Sequence, residues 1–193
     1  MNGSMKRRAP RWRGFTLIEV LLYATITVML SAPVVSVLLV STQATKDADS
    51  FCKAQERNRF CMLQIETDLR ECLGTSVIVQ NSETQLLFTT SSGFDGTSVT
   101  SGPQVRYTLQ LDSTESANAV DDDGDGLVDE GVLVRRDVTA GTEGVICGAV
   151  DLGASSFSTA GSSVTITLIS LGRVDRSSTP FSVARTVTVF PRN

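Results

Sequence analysis

Between Asp121 and Glu130 the chain reads Asp-Asp-Asp-Gly-Asp-Gly-Leu-Val-Asp-Glu. Six carboxylates packed this densely repel one another unless a cation neutralises them. Asp121, Asp123 and Asp125 have the 1-3-5 spacing with which a calcium loop presents its oxygens, and Gly126 stands at the sixth position, where the chain must turn sharply. In that register Leu127 gives a backbone carbonyl. Position twelve is Val132, where a bidentate glutamate is usual, so Asp129 or Glu130 must close the shell. The expected ligand is calcium; the alternative is a solvated acidic turn.

The run resembles EF-hand-like Asp-x-Asp-x-Asp-Gly loops, in the shortened form found in extracellular proteins. Its flanks read as strands or coil, not as two helices. Other chemistry is scarce. The chain has no histidine, which excludes a Ser-His-Asp or Cys-His nucleophile pair and removes the commonest zinc ligand. No glycine-rich phosphate loop is present, and no two carboxylates stand apart as a catalytic pair. The sequence does not read as an enzyme.

Cys52, Cys61, Cys72 and Cys147 are the remaining reactive side chains. The first three fall on one predicted helix, with rises between neighbours of roughly 13 and 16 Å, beyond disulfide reach. A bridge within the chain would therefore join Cys147 to a helix cysteine, Cys72 or Cys61, with Cys72–Cys147 the pair expected here. The alternative is that Cys61 and Cys72 are small buried apolar residues.

These groups must be carried by a chain whose N-terminal part is apolar. From Phe15 to Val40 the only charged residue is Glu19, and the run is long enough to cross a bilayer core as a helix. Lys6, Arg7, Arg8, Arg11 and Arg13 precede it with no acidic residue among them. Basic flanks stay cytoplasmic, so everything after Val40 is expected outside the cytoplasm, as in a single-pass protein. A cleaved secretory signal fits poorly, because the apolar run continues beyond Ser31-Ala32-Pro33. A plain signal anchor leaves Glu19 unexplained, since a carboxylate at that depth is expensive and marks a function.

Arg13-Gly14-Phe15-Thr16-Leu17-Ile18-Glu19 after a short basic leader closely resembles the processing signal of type IV pilins and pseudopilins. The resemblance implies cleavage after Gly14 by a prepilin peptidase and N-methylation of Phe15. It also implies that the Glu19 carboxylate meets the N-terminal ammonium of a neighbouring subunit during filament assembly. Partners would be other pilin or pseudopilin subunits and the peptidase. Asp68 near the helix end, Val105-Arg-Tyr-Thr-Leu109, Leu133-Val-Arg135 and a final strand closing on Arg192-Asn193 look like the minor pilins of the J type of type II secretion and their type IV pilus counterparts.

The fold expected is α+β, a long N-terminal helix with its hydrophobic half protruding and the remainder packed on an antiparallel sheet. Residues 1–14 form the leader, 15–40 the membrane or filament-core helix, 41–74 its amphipathic continuation and 75–193 the sheet domain. Pro33 would kink the helix. Phe51, Ala54, Cys61, Ile65, Leu69 and Cys72 form an apolar stripe, and Gly74 is a natural stop. Phe15 to Leu73 as one helix reaches about 90 Å. Strands are expected over 75–80, 84–90, 105–111, 132–136, 145–150, 163–169 and 183–190. Segments 91–103, 112–122 and 171–180 read as loops. Without residues 1–14 the chain keeps 12 basic and 21 acidic side chains, which argues against nucleic acid as a partner. The function expected is a structural subunit of a type IV pilus or a secretion pseudopilus. Alternatives are a calcium-binding adhesive module at a filament tip and a membrane-anchored domain that never polymerises.

Overall fold

From Leu17 to Arg70 no glycine interrupts the chain, and one helix, α1, runs through all 54 residues, with Pro33 inside it. The computed structural model describes residues 14–173 and 180–191. The leader charges, Arg192-Asn193 and part of the 171–180 loop lie outside the described residues. The chain divides into two units between Ala44 and Thr45.

The first unit is the apolar part of α1. Thr16 caps its start, with Oγ1 3.4 Å from the amide of Glu19. Hydroxyls along this part fold back on their own helix. Thr25 Oγ1 donates to Leu21 O at 2.8 Å, Thr27 to Tyr23 O at 2.7 Å and Ser36 to Ala32 O at 2.9 Å. These hydroxyls therefore need no partner from outside the helix.

In the second unit α1 packs on eight antiparallel strands: β1 (Ile78–Gln80), β2 (Gln85–Phe94), β3 (Val99–Leu111), β4 (Gly131–Asp137), β5 (Thr142–Val150), β6 (Ser156–Ala160), β7 (Ser163–Gly172) and β8 (Phe181–Val189). Their order is β1-β2-β3-β4-β5-β7-β6, with β8 also on β7. The ladder between β5 and β7 holds the single pair Val150–Ser170. Alternation fixes which face is inside. On β7, Val164, Ile166 and Leu168 are buried, while Thr165 and Thr167 pair outward with Thr188 and Thr186 at 3.1 and 3.2 Å. The core combines Cys61, Met62, Ile65 and Leu69 of α1 with Leu86, Phe88, Val105, Tyr107, Leu133, Phe157 and Ile166. Each large apolar side chain buried there contributes about 1.5–3 kcal/mol.

Four sequence expectations are corrected. The helix ends at Arg70, and Gly74 does not reverse the chain but begins a 3₁₀ turn, Gly74–Ser76. Leucine and cysteine beyond Arg70 are taken by the sheet instead: Leu73 N bonds Thr89 O at 2.9 Å and Cys72 bridges Thr90. Segment 91–103 is mostly strand, because β2 and β3 continue as a hairpin closed by Asp95, whose Oδ1 accepts the amides of Thr97 and Ser98, both at 2.8 Å. Strand β6 was unforeseen; only Phe157 gives it an apolar residue to bury. Phe51 is exposed against Phe181, and the stripe is filled by buried Asn58, whose Nδ2 donates to Leu168 O and Val183 O at 3.1 and 2.8 Å.

Candidate functional site

The link between β3 and β4 is the acidic segment, and its backbone is shaped by its own carboxylates. Asp121 accepts the amides of Gly124 and Gly126 at 2.6 and 2.8 Å. Asp123 Oδ1 accepts Asp125 N at 3.0 Å, and Asp125 Oδ1 accepts Leu127 N at 2.8 Å. Gly124 and Gly126 have φ of 80° and 89°, which a side chain would oppose. Leu127 anchors the loop, its side chain 4% exposed.

The structure sorts the carboxylates. Asp122 accepts Ser116 N at 3.0 Å and the Asn118 amide group at 3.2 Å. Asp129, expected as a closing ligand, holds the amides of Asn118 and Ala119 at 3.0 and 2.9 Å, one on each oxygen. These two side chains frame the loop. Oxygens of Asp121, Asp123 and Asp125 lie within 4.8 Å of one another, as do oxygens of Glu115, Asp123 and Glu130. Glu130 is the residue before β4, and its carbonyl accepts Asp112 N at 3.1 Å. Burial pushes its carboxyl up to about 7, with Asp125, Glu115 and Asp123 adding repulsion.

Glu115 was missed by sequence reasoning. It lies outside the Asp-rich run and at no loop position. The available signal was modest: it is the nearest acidic residue upstream that a turn after β3 can fold back. Its Oε1 accepts Asp122 N and Asp123 N at 3.2 and 3.3 Å.

At the other end of the sequence Gly14 is exposed, and a Cβ there would meet nothing. Phe15 is 73% exposed and its ring meets Tyr23 edge-on at 6.3 Å. Glu19 is exposed in the first turn of α1. Thr16-Leu-Ile-Glu19 is also the pattern of a helix capping box, a local role for Glu19 that the sequence reading overlooked.

Asp68, Tyr107 and Arg135, which lie far apart in sequence, come together under the sheet. Asp68 Oδ2 accepts the Tyr107 hydroxyl and Arg135 Nε, both at 2.7 Å, and Gln64 Nε2 approaches Oδ1 at 3.3 Å. Burial drives the Tyr107 hydroxyl upward, helped by its bond to Asp68. The expected Cys72–Cys147 bridge is not formed; all four cysteines are free thiols. Cys147 instead lies beside Cys61, whose Sγ is 2.9 Å from Ile146 O. Burial moves the Cys72 thiol up to about 11.

No protein-family model matches this chain, and neither a curated protein nor a solved structure is significantly similar to it.

Proposed function

We propose that this chain is a structural subunit, not an enzyme, of a type IV pilus or secretion pseudopilus: a pilin-like protein held in the inner membrane before assembly. The observation that carries the reading is the first unit. A helix long and apolar enough to cross a membrane exposes its side chains all round and carries a single carboxylate, Glu19, five positions beyond Gly14. A helix apolar on every side needs lipid or other helices around it. A prepilin peptidase that cuts after Gly14 leaves Phe15 as the N-methylated first residue. Its ammonium then pairs with Glu19 of a neighbouring subunit, because either charge alone in an apolar bundle is expensive.

Intact mass from cells with and without prepilin peptidase tests the reading. Loss of residues 1–14 and gain of one methyl only when the peptidase is present is the expected result. Retention of residues 1–14 in cells with active peptidase would overturn it.

A second reading is favoured by the Thr16 cap. If Glu19 serves only the helix start, the chain is a non-polymerising anchor. Glu19→Gln separates the two, since glutamine keeps capping ability and loses the charge. The filament reading expects normal insertion and cleavage with neighbour crosslinks lost. Unchanged crosslinking would leave Glu19 a cap.

A further inference from the structure

We propose that the β3–β4 connection binds one calcium ion, and that Glu115, six residues upstream of the Asp-rich run, closes the site together with Glu130. The inference concerns the second unit alone and stands independently of the filament reading.

Glu115 and Glu130 are 6% and 4% exposed. Oε2 of each is buried with no hydrogen-bond partner. A buried carboxylate oxygen left unpaired is costly, and two that converge with a third acid are worse, unless a cation sits between them. No basic residue stands in the sequence from Tyr107 to Val134. Among the described residues no ion pair joins a lysine or arginine to these acids; Arg173 lies over Gly126 without forming one.

The spacing suits one ion. Oxygens on opposite sides of a calcium ion lie about 4.6–5.2 Å apart, and each group of three spans no more than 4.8 Å. Asp123 belongs to both groups, so an ion held with Glu115 and Glu130 would have Asp121 and Asp125 as the next carboxylates beyond Asp123. Asp121, Asp123 and Asp125 are already oriented by backbone amides, which leaves their remaining lone pairs for the ion. A site that draws on three or more carboxylates suits calcium. Magnesium keeps several waters and accepts only one or two carboxylates in a strict octahedron. The ion would tie segment 112–120, through Glu115, to the start of β4, through Glu130.

The test is isothermal titration of the chelator-treated full chain in detergent with calcium chloride, then with magnesium chloride. Expected are one calcium per chain, with Kd at or below ~10⁻³ M as in extracellular modules, and magnesium at least about tenfold weaker. Glu115→Gln and Asp123→Asn should each weaken calcium at least about tenfold, while Glu143→Gln, on the exposed part of β5, should not. If circular dichroism shows that Glu115→Gln is unfolded, Glu115→Asp keeps the charge, withdraws the oxygen by one methylene and must also weaken binding. The proposal is overturned by no saturable calcium uptake, by two ions per chain, by equal magnesium affinity, or by wild-type affinity in a folded Glu115 variant.

Discussion

The two halves of α1 share one ladder of backbone hydrogen bonds and present opposite surfaces. Before Val40, Leu30 and Val37 are 61% and 67% exposed; beyond Thr45, Cys61, Ile65 and Leu69 are fully buried. Their acids differ in the same way. Asp68 is held by Tyr107 and Arg135, whereas no ion pair among the described residues holds Glu19. The difference lies in what surrounds each half, since one helix runs through both. One stripe of the later half fits a sheet made by the same chain. The earlier half is apolar on every side and long and apolar enough to cross a membrane.

The strongest way to probe the buried half is Leu69→Ala. The side chain is wholly enclosed, so its loss should lower stability by about 3–4 kcal/mol, read as a reduced denaturant midpoint of the full chain in detergent. Asp68→Ala comes next. Arg135 and Tyr107 then lose their shared acceptor, at a cost on the order of 3 kcal/mol; the low end of the range applies because the Arg135 side chain is 32% exposed. Tyr107→Phe should cost about 1 kcal/mol, and the double variant should cost less than the sum of the two single ones, since both remove one network.

A pH effect close in size to that of Asp68→Ala is expected in chelator-treated protein. Glu130 titrates near 7 when folded and at about 4.5 in the ordinary case. Its protonated form is the one the fold accommodates. That contribution is full below about 4.5 and is lost as pH rises through about 7, on the order of 2–3 kcal/mol. Melting midpoints should therefore be higher at pH 5 than at pH 8 without calcium. Added calcium should narrow the gap by stabilising the charged form. A midpoint independent of pH in the metal-free protein would show that Glu130 ionises freely.

Much of this was legible in the sequence, for reasons that differ by residue. The alternation of Val105 to Leu111 and of Val164 to Leu168 specified strands because a half-buried sheet admits no other pattern. The long helix followed from the absence of glycine and from Ala54, Cys61, Ile65 and Leu69 on one face. The 1-3-5 spacing put oxygens of Asp121, Asp123 and Asp125 within 4.8 Å of one another, since loop geometry is local. What was not legible depends on contacts distant in sequence. Glu115 is an ordinary acid until the turn after β3 folds it back, and Asn58 is an ordinary polar residue until two strand carbonyls meet it. The Cys61–Cys147 contact depends on the rotation of α1 over β5, which no spacing in the sequence fixes. Segment 91–103 reads as a loop from its serines and glycines, although β2 and β3 pair through most of it, with the register shifted around Ser91 and Ser92 left without a strand partner.

The smallest expected effect is the matched partner of the largest. Leu30→Ala removes the same atoms from the same helix as Leu69→Ala, at a site 61% exposed. No cavity opens, because the side chain is not enclosed by the described residues, and alanine is at least as good a helix former as leucine. The denaturant midpoint should move by no more than about 0.5 kcal/mol. Measured on the full chain in the same detergent, the pair tests whether surroundings alone distinguish the two halves of α1. A loss with Leu30→Ala as large as that with Leu69→Ala would mean that the exposed half carries fold stability of its own, and the comparison between the halves would fail. A null effect on stability, joined to weaker crosslinking between neighbouring subunits, would place the partner of Leu30 in another chain.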